Sequence, residues 1–309
     1  MVLMSDVEPP ELPRGIALAW GVAANPQRGP KREMSIERIV EVAVELADSE
    51  GLGAVSMAAV ASKLGFTPMS LYRYVSAKDD LLLLMQEEAT GLPPEEYREE
   101  EGWRAKLRTL FDAQVRLYVA HPWLLSLPIT GSPITPNSSA WLDAELDSLA
   151  DTSLSDVERL AVALAITGSA RWYGMINAGY AERSRSTGMT PDEITAQEAE
   201  LFDQVITHEG YPALRAIIEA GAFLSEENPF VFGVERLLDG VETYIAGLDR
   251  GESRESSREW VEEEPEEIAE DKKVREARKA VRAAEKALRD ARKLERQALK
   301  EIRERLART

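Results

Sequence analysis

The sequence predicts an all-α protein: a three-helix helix-turn-helix head, a helical body behind it, and a long charged helix at the end. Three observations carry this. Apolar residues recur at helical spacing through most of the 309-residue chain. No stretch shows the strict alternation of a half-buried strand. No Gly or Pro follows Pro265, so residues 266–309 read as uninterrupted helix.

Composition removes several classes. There is no cysteine, hence no disulfide, thiolate metal site or cysteine nucleophile. The two histidines, His121 and His208, lie far apart, and no metal-ligand spacing accompanies them. No Gly-rich phosphate loop or nucleophile–base arrangement is visible, and scattered acids such as Glu145 and Glu158 form no motif. No catalytic residue, cofactor or metal is therefore expected. No apolar run approaches bilayer length. The N-terminus, with Asp6, Glu8 and Glu11, does not read as a signal peptide, so the expected address is the cytoplasm, with no membrane partner.

Taken in order, residues 1–30 are rich in Pro and Gly and read as a mostly flexible arm. Its apolar patch, Ile16, Leu18 and Trp20, fits a linker and an element docked on the body equally. Residues 31–90 form the head. Ser35 caps a first helix with Ile39, Val42, Ala43 and Leu46 inward, and Gly51 and Gly53 end it. Met57, Val60, Ala61 and Leu64 share one face of the next helix. Gly65 supplies the turn, because glycine enters positive φ at no steric cost. Thr67 then caps a short helix over 68–75, with Pro68 at its first position and Leu71 and Val75 as anchors. The run K-D-D-L-L opens the helix after it.

The order S-I-E-R-I-V-E-V-A-V-E-L-A-D-S-E-G-L, S-M-A-A-V-A-S-K-L-G, L-Y-R-Y-V, K-D-D-L-L resembles the DNA-binding head of the tetracycline-repressor (TetR) family. The resemblance covers roughly residues 31–90. In such a head the N-terminal half of the second helix faces base edges in the major groove. Thr67, Pro68, Met69 and Ser70 occupy that half. Thr67 and Ser70 suit base edges or phosphates, and Met69 suits a thymine methyl. Pure capping explains Thr67 as well as base contact does, and Arg73 fits a solvated surface charge equally. The resemblance implies phosphate contacts for Tyr72, Tyr74 and Lys78; packing against the body is the alternative for Tyr74. Ser56 caps a helix whose free N–H groups favour a phosphate. Lys31 and Arg32 precede the first helix, within reach of a minor groove.

The net charge of −18 does not contradict this. From residue 28 to 78 seven bases (Arg28, Lys31, Arg32, Arg38, Lys63, Arg73, Lys78) face six acids (Glu33, Glu37, Glu41, Glu45, Asp48, Glu50), so the head is about neutral. Acidity elsewhere repels a duplex from the other surfaces.

Residues 91–250 read as the body, entered through the proline-marked hinge at 91–101. Two helices suit dimerisation. One carries Val157, Leu160, Ala161, Leu164, Ala165 and Gly168; the other carries Phe230, Val234, Leu237, Leu238, Val241 and Ile245. Between hinge and dimer helices stand Trp103, Phe111, Gln114, Tyr118, His121, Trp123 and Trp141, then Arg171, Trp172, Tyr173 and Asn177 in R-W-Y-G-M-I-N. Such residues usually build a core. The family resemblance implies an inducer pocket among them, with apolar walls and a few directed polar groups.

Residues 251–309 form a tail. Residues 252–271 hold ten acids and two bases, and residues 272–309 hold fifteen bases and six acids, along an alanine-rich heptad stripe. Pairing with a dimer mate, folding back on an acidic surface, contact with DNA phosphates and a solvated single helix all fit it. The resemblance implies a ligand-responsive repressor: a homodimer on a palindromic double-stranded DNA operator, released by an apolar or amphipathic small-molecule inducer. The alternative is a DNA-architectural or protein-bridging factor acting through the tail, with no inducer.

Overall fold

The computed structural model describes residues 12–22, 34–129, 134–225, 227–254 and 265–307. The chain divides into two units, Met1–Ser253 and Arg254–Thr309. Among the described residues no strand forms.

In the first unit, α1 (Arg14–Ala19) lies against α5 (Lys78–Thr90), burying Ile16. The Trp20 indole donates to the Ile134 carbonyl at 2.7 Å. The apolar patch of the arm is thus a docked helix, but it is held mainly by the head and not by the body as expected. α2 (Ile36–Glu50) starts where the Ser35 hydroxyl accepts from the Arg38 amide, and ends at Gly51 with φ +83°. Ser56 starts α3 (Met57–Leu64) by accepting from the Ala59 amide at 3.1 Å. Gly65 follows in the left-handed conformation with φ +76°.

The helix expected over 68–75 is only α4 (Pro68–Leu71). Beyond it the chain tightens: the Tyr74 amide donates three residues back, to the Leu71 carbonyl, at 2.8 Å. Leu71 and Val75 are both fully buried and hold this turn against α2, α3 and α5. Burial on that scale contributes about 1.5–3 kcal/mol per large apolar side chain. Thr67 stands at the N-cap without making the capping bond; its Oγ1 lies 3.0 Å from the Ser70 hydroxyl instead.

The body comprises α6 (Gly102–Ala120), a 3-10 turn Pro122–Ser126, α7 (Pro136–Ser148), α8 (Asp156–Thr187), α9 (Pro191–Val205), α10 (Pro212–Glu219) and α11 (Pro229–Asp249). Reciprocal capping boxes start α8 (Ser155 with Glu158) and α9 (Thr190 with Glu193). The presumed hinge is pinned: Tyr97 is buried with Leu110, Trp141 and Ala144. The main body core joins α6, α8 and α11 through Leu107, Phe111, Ile166, Ala170, Val234 and Leu238. On α11, Val234 and Leu238 therefore face their own subunit, while Val231 and Phe232 stand exposed. Arg104 on α6 binds Glu235, Asp239 and Glu242 on α11, and Arg108 also pairs with Glu235.

α8 approaches α6 closely at Gly174, where an added Cβ would lie 2.5 Å from Tyr118 Cβ. The glycine of W-Y-G-M is thus a packing requirement.

The second unit holds α12 (Glu266–Glu270) and α13 (Lys272–Ala307). Asp271 caps α13 by accepting from the Lys273 and Val274 amides at 2.8 and 3.1 Å. Its 36 residues span about 54 Å. Val281, Leu288, Leu294 and Ile302 are exposed along it.

Candidate nucleic-acid interface and ligand site

The head presents a compact exposed surface built on a buried anchor. Leu71 and Val75 point into the core, so their neighbours point out. Thr67, Pro68, Met69, Tyr72 and Arg73 are exposed, Met69 at 75% of its surface, and Ser70 is half-buried. Tyr74 is half-buried against the head core, which is not the packing on the body given as its alternative. Lys78 is exposed at the first position of α5. Among the described residues neither Arg73 nor Lys78 has an acidic partner, which leaves both charges available to phosphates. Ser56 is exposed, with its hydroxyl already engaged in capping. Lys31 and Arg32 lie outside the described residues.

The residues expected around a ligand fall into three groups. Phe111, Gln114, Tyr118, Arg171 and Tyr173 come together between α6 and α8. Tyr173 stacks on Phe230 with centroids 4.8 Å apart and on Phe111 at 6.5 Å, and Asn228 donates to its hydroxyl. Arg171 donates to the Leu125 and Leu127 carbonyls, each at 3.1 Å. Burial pushes the Tyr118 phenol above its ordinary range, and neighbouring Arg171 partly offsets this. Trp103 packs half-buried on the same core, and Asn177 is half-buried further along α8.

The second group belongs to the joint between head and body. Asp48, on α2, accepts from the Trp123 indole at 2.7 Å and lies 2.8 Å from His121 Nδ1. The Trp141 indole donates to the carbonyls of Thr90 and Gly91, where α5 ends. Asn137 binds Glu87 through both its amide groups. His121, Trp123 and Trp141 thus tie α2 and α5 to the body. Trp172 forms the third group alone: it is 55% exposed.

Sequence reasoning passed over Glu145 and Thr167. Glu145 is buried on α7, and its Oε1 accepts from Gln114 Nε2 at 2.7 Å and from the Thr167 hydroxyl at 2.8 Å. Burial raises its carboxyl to about 7, with the two hydrogen bonds acting against the shift. The signal was present: Trp141, Ala144, Glu145 and Ser148 follow helical spacing, which sets an acid on an inward face.

Two family models match this architecture. The one described as "Bacterial regulatory proteins, tetR family" matches residues 39–85, and "Tetracyclin repressor-like, C-terminal domain" matches residues 94–245. The HTH-type transcriptional repressor DrrR1 of Streptomyces coeruleorubidus is 33% identical over 245 residues, covering 79% of this chain and 90% of the relative. The chain belongs to the TetR family. It is thus a transcriptional regulator of the helix-turn-helix type and not an enzyme. An HTH-type transcriptional regulator of Saccharopolyspora erythraea is 26% identical to this TetR-family chain over 216 residues, covering 69% of it and 83% of the relative. Among solved structures, the TetR family protein ActR of Streptomyces coelicolor, in complex with (S)-DNPA, superposes with a TM-score of 0.53 at 22% identity, over 72% of this chain and all of ActR. That likeness concerns the fold. Among the described residues no helix is long and apolar enough to cross a membrane.

Proposed function

We propose that this chain is a ligand-responsive transcriptional repressor that binds a palindromic operator as a homodimer and is released by a small-molecule inducer. The observation that carries it is the exposed set Thr67, Pro68, Met69, Tyr72, Arg73 and Lys78 on a turn anchored by buried Leu71 and Val75. One short helix reads few base pairs, so a two-fold dimer is needed to hold an operator. The apolar stripe Val157, Leu160, Leu164 on α8 supports such pairing, since it stands exposed in the single chain. A groove of about 370 Å³ between α8 and α11, lined by Ala161, Val162, Leu237 and Val241, supports the same face. The relative DrrR1 is named a repressor, and ActR, which shares the fold, binds (S)-DNPA.

Response to a ligand runs through the joint. A molecule entering between α6, α7 and α8 displaces the ties that Asp48, Glu87 and Thr90 make to the body. Operator affinity then falls to the extent that the ligand binds the two arrangements differently. Nothing observed favours the tail-driven bridging alternative.

Selection of binding sites from random duplex DNA at near-physiological salt tests this reading. One palindrome is expected, with affinity lost about tenfold or more in Tyr72→Ala and Lys78→Ala. Recovery of no preferred sequence would refute it.

A further inference from the structure

The chemistry of the inducer is legible in the cluster around Glu145, an inference that rests on the body's being an inducer-binding domain. Glu145 is buried, and among the described residues no Lys, Arg or His pairs with it. Arg171, on the facing helix, is committed to the Leu125 and Leu127 carbonyls. An ionised carboxylate offers about four acceptor sites. Two donors reach this one, Gln114 Nε2 and the single Thr167 hydroxyl proton, whose oxygen lies 2.8 and 3.1 Å from the two carboxylate oxygens. Gln114 is itself buried, and its Oε1 has no hydrogen-bond partner. The cluster is therefore rich in acceptors, negative when ionised, and short of donors. A buried carboxylate without a cation is costly, as is an unpaired buried carbonyl.

A protonated amine corrects both deficits at once. It brings three donors and a positive charge, enough for Glu145 and for Gln114 Oε1 together. Aromatic side chains stand near this pair on α6 and α8. Phe111 lies one turn before Gln114 on α6, in the stack it forms with Tyr173 and Phe230, and Tyr118 lies one turn after it. Aromatic faces hold apolar rings and also attract cations.

We propose that Glu145 and Gln114 form the acceptor pair for an ammonium group, so that this regulator answers to amphipathic aromatic amines. Neutral and anionic compounds of similar shape are rejected because they leave the carboxylate unpaired.

The test uses the full chain bound to its selected operator, with dansylcadaverine and its N-acetyl derivative as probes. Dansyl emission reports binding, and fluorescence anisotropy of the labelled operator reports release. The amine is expected to bind about tenfold or more tighter than the neutral derivative. Glu145→Gln, which keeps shape and hydrogen bonding, is expected to bring the two probes to similar affinity. Gln114→Leu is expected to weaken the amine severalfold. Equal binding of the two probes, an amine advantage that survives Glu145→Gln, or binding of neither probe overturns the proposal. The two readings fail separately. If the N-acetyl derivative binds as well and releases operator, the inducer reading stands and the amine assignment falls. If the amine binds through Glu145 without moving operator affinity, the ammonium site stands and the inducer reading falls.

Discussion

Glu145 makes a stability prediction that does not depend on any ligand. Its carboxyl is raised by burial from an ordinary 4.5 to about 7. Between those values the folded chain holds a proton that the unfolded chain has released. Stability therefore falls as pH rises through that window, and the full cost is present above about 7. A shift of this size corresponds to about 3 kcal/mol. Glu145→Gln removes the titration, so its advantage over the natural chain is expected to grow by about that amount from pH 4.5 to pH 8. Denaturant unfolding of both proteins at the two values checks it, and parallel pH profiles would count against a buried, unpaired carboxyl. At this scale the sequence was legible for local roles. Ser35, Ser56 and Gly65 do what their types and neighbours predict, because capping and left-handed turns are decided within four residues. Asp48, Glu145 and Thr167 were not legible as partners, because their partners come from helices that are distant in sequence.

Between elements, the crossing of α6 and α8 is set by one missing side chain. Gly174 sits in a helix interior, where alanine is ordinarily favoured by about 1 kcal/mol. Gly179, five residues on, meets nothing within 4 Å and is expected to show that gain when changed to alanine. Gly174→Ala is expected to do the opposite. Its Cβ would lie 2.5 Å from Tyr118 Cβ, an atom next to the backbone that cannot swing away. The two helices must separate, at an overpacking cost of about 1–3 kcal/mol, enough to exceed the propensity gain. Thermal unfolding of the two variants side by side gives the sign directly; stabilisation by both would show that α6 and α8 have room to spare. Elements with strong apolar periodicity and local caps, such as α2 and α3, were readable in place and extent to within a few residues. α4 came out shorter than its pattern, since two buried anchors four apart fix a turn without requiring helix beyond it. The face of α11 was misread in part. A helix apolar on more than one side does not say which stripe its own subunit takes, and Val234 and Leu238 go inward.

For the whole molecule, the exposed apolar stripe of α8 is the feature that a single chain leaves unexplained. Val157 is 77% exposed and Leu164 55%, with Leu160 between them on the same face. Apolar surface of this extent, on a regulator proposed to grip its operator with two heads, suits a face covered by a second copy. Leu164→Glu would place an unpaired charge at the middle of that face. Its burial would cost more than one leucine contact returns, so sedimentation is expected to show dimer for the natural chain and monomer for the variant. The head core, built from Leu71, Val75 and their partners, does not include α8, so the far-UV signal and the fold of the head should persist. Operator affinity should nevertheless fall by about 10²-fold or more, because the second half-site is no longer bound at the effective concentration that linkage supplies. Binding to an isolated half-site should change little. That combination separates lost pairing from lost recognition: a variant that stays dimeric would move the pairing face off α8, and one that loses half-site binding as well would place α8 in the integrity of the head.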